Sequence, residues 1–344
     1  MGAAVTGWGT ALPRAELTND ELAKRLGISA QWIFERTGIR SRRVVGEGET
    51  TSSLAIAASR GALEQARCDA TDIDFVIVAT CTPDYQMPAV GPLVQHAIGA
   101  TRAAAFDVNA ACSGFLFALA QANGLIEAGS ARRVLVCGAD ILTTVSDYTD
   151  PPSSVIFGDG AGAALVEITE GPTRLGPFRL GSDGGKPELL WIPPETGRIR
   201  MEGREVYRRA VDGMTRSVRS VLAEAGVTVD DVDLLVAHQA NARILEAVAH
   251  RLAMPSDRVA LNITRLGNTS AASVPIAVSE AAQQGLLKDG DLVVLTAFGA
   301  GFTWGTGLLR WSTPVGDVEA PLEASSAAVD LAPEAPAFAG ETRG

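Results

Sequence analysis

Short unbroken apolar runs alternate along the chain with longer segments whose apolar residues recur at helical spacing. "TDIDFVIVATC" (Thr71 to Cys81), "GSARRVLVCG" (Gly129 to Gly138), "DDVDLLVAHQA" (Asp230 to Ala240) and "KDGDLVVLTA" (Lys288 to Ala297) each place a continuous apolar stretch behind a polar start. Such a run predicts a strand buried on both faces, as in a parallel sheet. "SLAIAASRGALEQA" and "VDGMTRSVRSVLAEAG" predict helices that cover the sheet.

The runs repeat. The segments beginning at Thr71 and Asp230 lie 159 residues apart, and Gly129 and Lys288 are separated by the same interval. A third echo sets "VIFGDGAGAALVEI" (Val155 to Ile168) against "LTAFGAGFTWGTGLLRW" (Leu295 to Trp311) at a shorter offset, because the first half carries the extra stretch "DILTTVSDYTDPPSS". Two similar α/β halves are therefore predicted, 1–170 and 171–312, packed into one core. Residues 313–344 are rich in Ala, Pro and acids and poor in large apolar side chains, which predicts a disordered acidic tail.

Composition narrows the class without changing that architecture. A chain of 344 residues with 47% apolar content can bury a sizeable core. The four cysteines, Cys68, Cys81, Cys112 and Cys137, form neither a C-x-x-C pair nor a Cys/His cluster with zinc spacing, so no disulfide framework and no metal site is expected. Reduced thiols in a cytoplasm fit best. No basic segment followed by an apolar one opens the chain, and no apolar run approaches the ~18 residues of a membrane span. The net charge of −11 argues against a nucleic-acid surface but leaves room for local basic patches facing an acidic partner.

Within "DVNAACSGFLFALA" (Asp107 to Ala120), Cys112 stands among small residues just before an apolar helix. A helix N-terminus favours a thiolate by ~0.3–2 kcal/mol, roughly 0.2–1.5 pK units, which does not bring a thiol of pKa ~8.5 to neutrality. A second activating group is expected. Cys68 and Cys137 fit inert buried thiols. Of the three histidines, His96 sits within a helical pattern and His250 on a solvated helix face beside Arg251. His238 ends an apolar strand, where ligand crevices form in α/β sheets. The polar residues His238, Gln239 and Asn241 also suit a helix cap, as does Asn268 in "RLGNTSAASVPIA", and the pattern alone leaves both readings open. With the halves related by a pseudo-twofold axis, Cys112, His238 and Asn268 would meet in one site.

Six motifs together resemble the β-ketoacyl-acyl-carrier-protein (ACP) synthase III family of thiolase-superfamily condensing enzymes: "WIFERTGIRSRR", "AACSGF", "FGDGAG", "HQAN", "GNTSAASVP" and "FGAGFTWG", in family order across residues 1–311. The resemblance implies a thiolase-like fold of duplicated βαβ halves in a layered α-β-α-β-α arrangement, and a homodimer. It implies a ping-pong decarboxylative Claisen condensation: Cys112 takes an acyl group from acyl-CoA or acyl-ACP, and the carbanion from malonyl-ACP attacks the acyl-Cys112. His238 and Asn268 would stabilise the enolate, and the backbone N–H groups of Cys112 and Ala300 the acyl oxyanion. Coenzyme A would be a substrate carrier, with no permanently bound cofactor.

By the same resemblance Trp32 and Arg36 would hold the nucleotide end of coenzyme A, with Asn241 near the pantetheine amides. Arg243 and Arg251 would meet the carrier protein. Leu142, Phe157 and Leu189 would line the acyl pocket, with Met87 reaching across the dimer interface. Two departures bear on the substrate. Pro151-Pro152 stands where the family commonly has Arg-Gly against the adenine, and Met87 where a Phe often gates the pocket, so looser CoA binding and a primer larger than acetyl are expected. Two other functions compete. A non-decarboxylating acyltransferase of the same fold, acting on an alcohol or amine, would not need Asn268, and a non-catalytic partner subunit would not need Cys112.

Overall fold

A computed structural model describes residues 2–316 and 322–323. Two sheets stand back to back. The first holds β1 (Gly2–Leu12), β2 (Phe75–Ala79), β3 (Ala104–Val108), β4 (Arg133–Ile141) and β5 (Asp159–Thr169), in the order β1-β5-β4-β2-β3. The second holds β6 (Leu175–Ser182), β7 (Leu234–Ala237), β8 (Leu292–Gly299) and β9 (Thr303–Arg310), in the order β7-β8-β9-β6. In each, parallel pairing (β2 with β3 and β4; β7 with β8) gives way to an antiparallel partner, β5 on β4 and β9 on β8. The continuous apolar runs of the sequence are β2, β4, β7 and β8.

Helices fill three layers. α1 (Thr51–Ala66) and α2 (Val90–Ile98) cover the outer face of the first sheet, and α4 (Gly203–Ala225) with α5 (Ala242–Leu252) covers the second. Between the sheets lie α3 (Gly114–Glu127) and α6 (Ser273–Gln283), whose apolar side chains join residues of both sheets in one cluster. A helix wedged between two sheets is apolar on all sides, which is why "GFLFALA" shows no polar stripe.

The duplication extends to backbone detail. Asn109 and Asn268 are separated by the same 159-residue interval as the strands. Each side-chain oxygen accepts from the N–H two residues on, Ala111 at 3.2 Å and Ser270 at 2.8 Å. Ala111 and Ser270 both take a positive φ, 47° and 51°, and each opens a 3₁₀ turn that leads into α3 or α6. The two turns touch. Ala271 is thus the counterpart of Cys112.

Among the described residues no helix is long and apolar enough to cross a membrane. The expected tail lies largely outside the described residues. Its described parts lie against the core: the Gly316 N–H donates to the Gln65 carbonyl at 3.0 Å, and Leu322–Glu323 pairs in parallel with Ala11 and Leu12 at the edge of β1.

Candidate active site

The ends of β2, β7 and β8 and the turns before α3 and α6 surround a cavity of about 1430 Å³. Cys112, His238 and Asn268 all line it. Close backbone approach makes this possible. A Cβ on Gly299 would stand 2.7 Å from the Cys112 nitrogen, and one on Gly138 would stand 2.4 Å from the Ala271 carbonyl oxygen, so a side chain at either place would push the neighbouring turn off its strand. Thr303 Oγ1 fastens the loop after β8 to the cysteine turn, donating to the Ala110 carbonyl at 2.8 Å and lying 2.7 Å from Ser113 Oγ.

Burial pushes the Cys112 thiol up to about 12, against the opposing pull of a hydrogen bond donated by Ser270 Oγ to Sγ at 3.4 Å. The group from the other half seen against the thiol is a hydroxyl donor. It stabilises sulfur's negative charge where that charge develops.

His238 directly follows β7 and is 1% exposed in the described chain. Burial pulls its pKa down to about 3, so the imidazole is neutral. Nδ1 lies 2.6 Å from Ser273 Oγ, and that oxygen already accepts from the Gln239 N–H at 3.2 Å. When the serine donates its proton to Nδ1, the imidazole N–H is on Nε2. Asn268 is held likewise: its backbone bridges Phe157, and its Oδ1 is taken by the Ser270 N–H, which turns the amide NH₂ toward the cavity. Two neutral donors and a thiol share one enclosure.

Other predicted residues are distributed unevenly. Trp32, Arg36, Asn241 and Arg243 line the same cavity, with the Arg36 guanidinium 5.6 Å from the Trp32 ring centroid. Asn241 also caps α5: its Oδ1 accepts from the Arg243 N–H at 2.9 Å and its Nδ2 donates to the Arg36 carbonyl at 3.0 Å. The cap and the site are the same residue. Leu142, Phe157 and Ala300 line the cavity, as does Pro152.

Leu189 does not. It ends a 3₁₀ turn and packs into the outer apolar cluster against Ala210 and Met214, while its neighbours Pro187, Leu190 and Trp191 face the cavity. Met87 is 85% exposed and outside the cavity of its own chain. Arg251 is also outside, on the surface, paired with Asp212. His96 and His250 are exposed, and the cavity holds neither. The sequence reading passed over Arg204, Asn109, Cys81 and Thr303, which line the cavity, and Ser273, which orients His238.

Comparison with known proteins agrees with this geometry. Residues 106–184 match the profile of 3-oxoacyl-[acyl-carrier-protein (ACP)] synthase III, and residues 222–311 that of its C-terminal part. A β-ketoacyl-[acyl-carrier-protein] synthase III from Rhizorhabdus wittichii is 48% identical over 316 residues, covering 90% of this chain and 99% of that protein. The chain belongs to the β-ketoacyl-ACP synthase III family. The 3-oxoacyl-[acyl-carrier-protein] synthase III of Aquifex aeolicus VF5 has the same fold, with a TM-score of 0.87 at 43% identity, covering 90% of this chain and all of that one. The priming β-ketosynthase of the R1128 polyketide biosynthetic pathway superposes equally well, with a TM-score of 0.87 at 37% identity, covering 91% of this chain and 97% of that one. As a member of this family the chain has the thiolase-like fold and is a ketosynthase.

Proposed function

We infer that the protein primes fatty acid or polyketide synthesis by decarboxylative Claisen condensation of an acyl thioester with malonyl-ACP, in two half-reactions through acyl-Cys112. The observation that carries this reading is the meeting of one thiol with two oriented neutral donors, Cys112, His238 and Asn268, in a single cavity.

In the first half-reaction Cys112 Sγ forms a bond to the acyl carbon and the donor's C–S bond breaks. The cysteine proton ends on the departing thiol. The Ser270 hydroxyl stabilises charge on sulfur, and the N–H groups of Cys112 and Ala300 stabilise the oxyanion. In the second, the malonyl thioester carbonyl accepts from His238 Nε2–H and Asn268 Nδ2–H. The C–C bond to the carboxylate breaks, CO₂ leaves, and the electron pair is held as the enolate. Its carbon then attacks acyl-Cys112, yielding 3-oxoacyl-ACP and the free thiol. Neutral donors suit this step, because a cationic imidazolium would hold the carboxylate in place rather than favour its loss.

Arg36, Arg204 and Arg243 line the cavity mouth, where guanidiniums recognise the phosphates of a coenzyme A or phosphopantetheine arm. Arg251 on the nearby surface would add to a docking face for an acidic carrier protein. Met87, exposed in one chain, would enter the cavity of a second copy in a homodimer.

Intact mass after incubation with acyl-CoAs and acyl-ACPs tests the reading. One acyl adduct on Cys112 is expected, discharged by malonyl-ACP with release of CO₂ and formation of 3-oxoacyl-ACP. An adduct discharged instead onto an alcohol or amine would make the protein an acyltransferase.

A further inference from the structure

Cys81, just beyond the end of β2, is a second thiol facing the cavity, and the condensation has no use for it. Its surroundings hold it beside the nucleophile. Both lie against one hydroxyl: Ser270 Oγ is 3.4 Å from Cys112 Sγ and 4.0 Å from Cys81 Sγ. The sulfurs are therefore separated by no more than two such contacts. This placement is built into the fold. The buried carboxylate of Asp140 accepts from the Cys81 N–H at 2.8 Å through one oxygen and from the Ala271 N–H at 3.2 Å through the other, tying the Cys81 backbone to the turn that carries Ser270. The Ser270 hydroxyl donates to Cys112 Sγ and also lies within reach of Cys81 Sγ, so one hydroxyl stands between the two sulfurs.

We propose that Cys81 is a resolving thiol for the nucleophile, so that a hydroperoxide converts the pair into an intramolecular Cys81–Cys112 disulfide. In the first step Cys112 sulfur attacks the hydroperoxide. An S–O bond forms, the O–O bond breaks, the sulfur is oxidised by two electrons, and the alcohol or water leaves, giving the sulfenic acid. In the second, Cys81 sulfur attacks that sulfenic sulfur. The S–S bond forms, the S–O bond breaks, and hydroxide departs with the Cys81 proton as water. A dithiol reduces the bond back to two thiols.

The surrounding chain suits the approach. An S–S bond is about 2.05 Å long, and both side chains face open cavity. Cys81 heads an irregular segment, residues 81–89, that carries the exposed Tyr85 and Met87, and its backbone is fixed at the cavity wall by Asp140, so the approach is made by the side chains. Without a partner, an oxidised cysteine proceeds to the sulfinic acid, which thiols do not reduce. A thiol beside the sulfenic acid intercepts it first. The linked form has no nucleophile, so the enzyme is off but recoverable.

The test uses the full chain and hydrogen peroxide, with mass as the primary readout, so it does not depend on turnover. The reduced protein is treated, then its intact mass and an unreduced digest are measured. Loss of two hydrogens, a peptide pair joining Cys81 to Cys112, and return of activity with dithiothreitol are expected. In Cys81→Thr, which keeps a small polar side chain, the joined peptides are absent, Cys112 gains oxygen atoms, and lost activity does not return relative to the untreated variant. Sulfinic acid at Cys112 in the wild type with no joined peptides overturns the proposal, as does a link to Cys68 or Cys137. If Cys81→Thr does not fold, the wild-type digest decides alone. Normal acyl loading of Cys112 without disulfide formation would sink this inference and leave the condensation reading intact.

Discussion

Ser273 Oγ lies 2.6 Å from His238 Nδ1, and it fixes which ring nitrogen faces the substrate. The Gln239 N–H fills one acceptor site on that hydroxyl, and the proposed condensation needs the serine to donate to Nδ1 so that the ring N–H is on Nε2. Ser273→Ala should lower kcat for malonyl decarboxylation about three- to tenfold, the value of one ordinary hydrogen bond. The KM for malonyl-ACP should stay near wild type, and Ser273→Thr should restore most of the rate. A raised KM with unchanged kcat would make Ser273 a packing residue.

The two half-reactions should separate by mutation. Cys112→Ser should abolish acyl-enzyme formation, because an alcohol has almost no oxyanion at neutral pH. Asn268→Ala should leave acylation of Cys112 largely intact while cutting malonyl decarboxylation by about 10²–10³-fold, the usual cost of one oxyanion donor. Parallel measurements of acyl loading by mass and of CO₂ release check both. Equal loss in the two assays would make Asn268 structural, a role the bond from the Ser270 N–H to its Oδ1 also allows.

How much of this was legible follows from how each residue is placed. The strand ends were readable because β2 and β7 are continuous apolar runs, and the repeat of the two halves brought Asn268 toward Cys112, though Asn109 as its counterpart was passed over. Ser273 was not, since a serine opening an apolar helix reads as a small residue, and only the fold brings the end of β7 to it. Leu189 was misplaced for a local reason. Its 3₁₀ turn puts residues three apart on one face, so Pro187 and Leu190 meet the cavity and Leu189 does not. Arg204, in the first turn of α4, reads as a solvated helix charge until that end of the helix is seen at the cavity mouth.

Acidification should destabilise the protein through His238 without switching the donor off. Its folded pKa, about 3, lies below the ~6.5 of an unfolded chain, so the unfolded state takes up the proton first as pH falls. Stability due to this group is complete above pH ~6.5 and is lost progressively down to pH 3, roughly 2 kcal/mol by pH 5. Asp159 opposes it: burial raises its carboxyl to about 6, so the folded state takes up that proton first, and its effect favours folding as pH falls toward 4. His238→Asn should therefore lose less Tm than wild type between pH 7 and 5. Decarboxylation by the wild type should show no acid limb near 6.5, and an inflection there would mean that His238 titrates normally.

Primer choice should follow the residues at the two ends of the cavity. If the proposed homodimer brings Met87 of a second copy to the cavity, its unbranched chain is slimmer and more adaptable than a Phe, and the wall contributed by Leu142 and Phe157 is apolar, so added carbons find apolar contact. Each buried CH₂ is worth about 0.8 kcal/mol, roughly fourfold in affinity. Pro152 lines the cavity, and by the family resemblance Pro151-Pro152 stands where a guanidinium would stack on the adenine, a contact worth about 0.5–2 kcal/mol. Acyl groups of about four to six carbons, straight or branched, should exceed acetyl in kcat/KM, and acyl-ACP donors should compete well with acyl-CoA. Met87→Phe should shift the optimum back toward acetyl while leaving malonyl-ACP decarboxylation unchanged. Rates with acetyl, butyryl, isobutyryl and hexanoyl donors decide it: a wild-type maximum at acetyl would show that neighbouring side chains already fill the space that Met87 leaves.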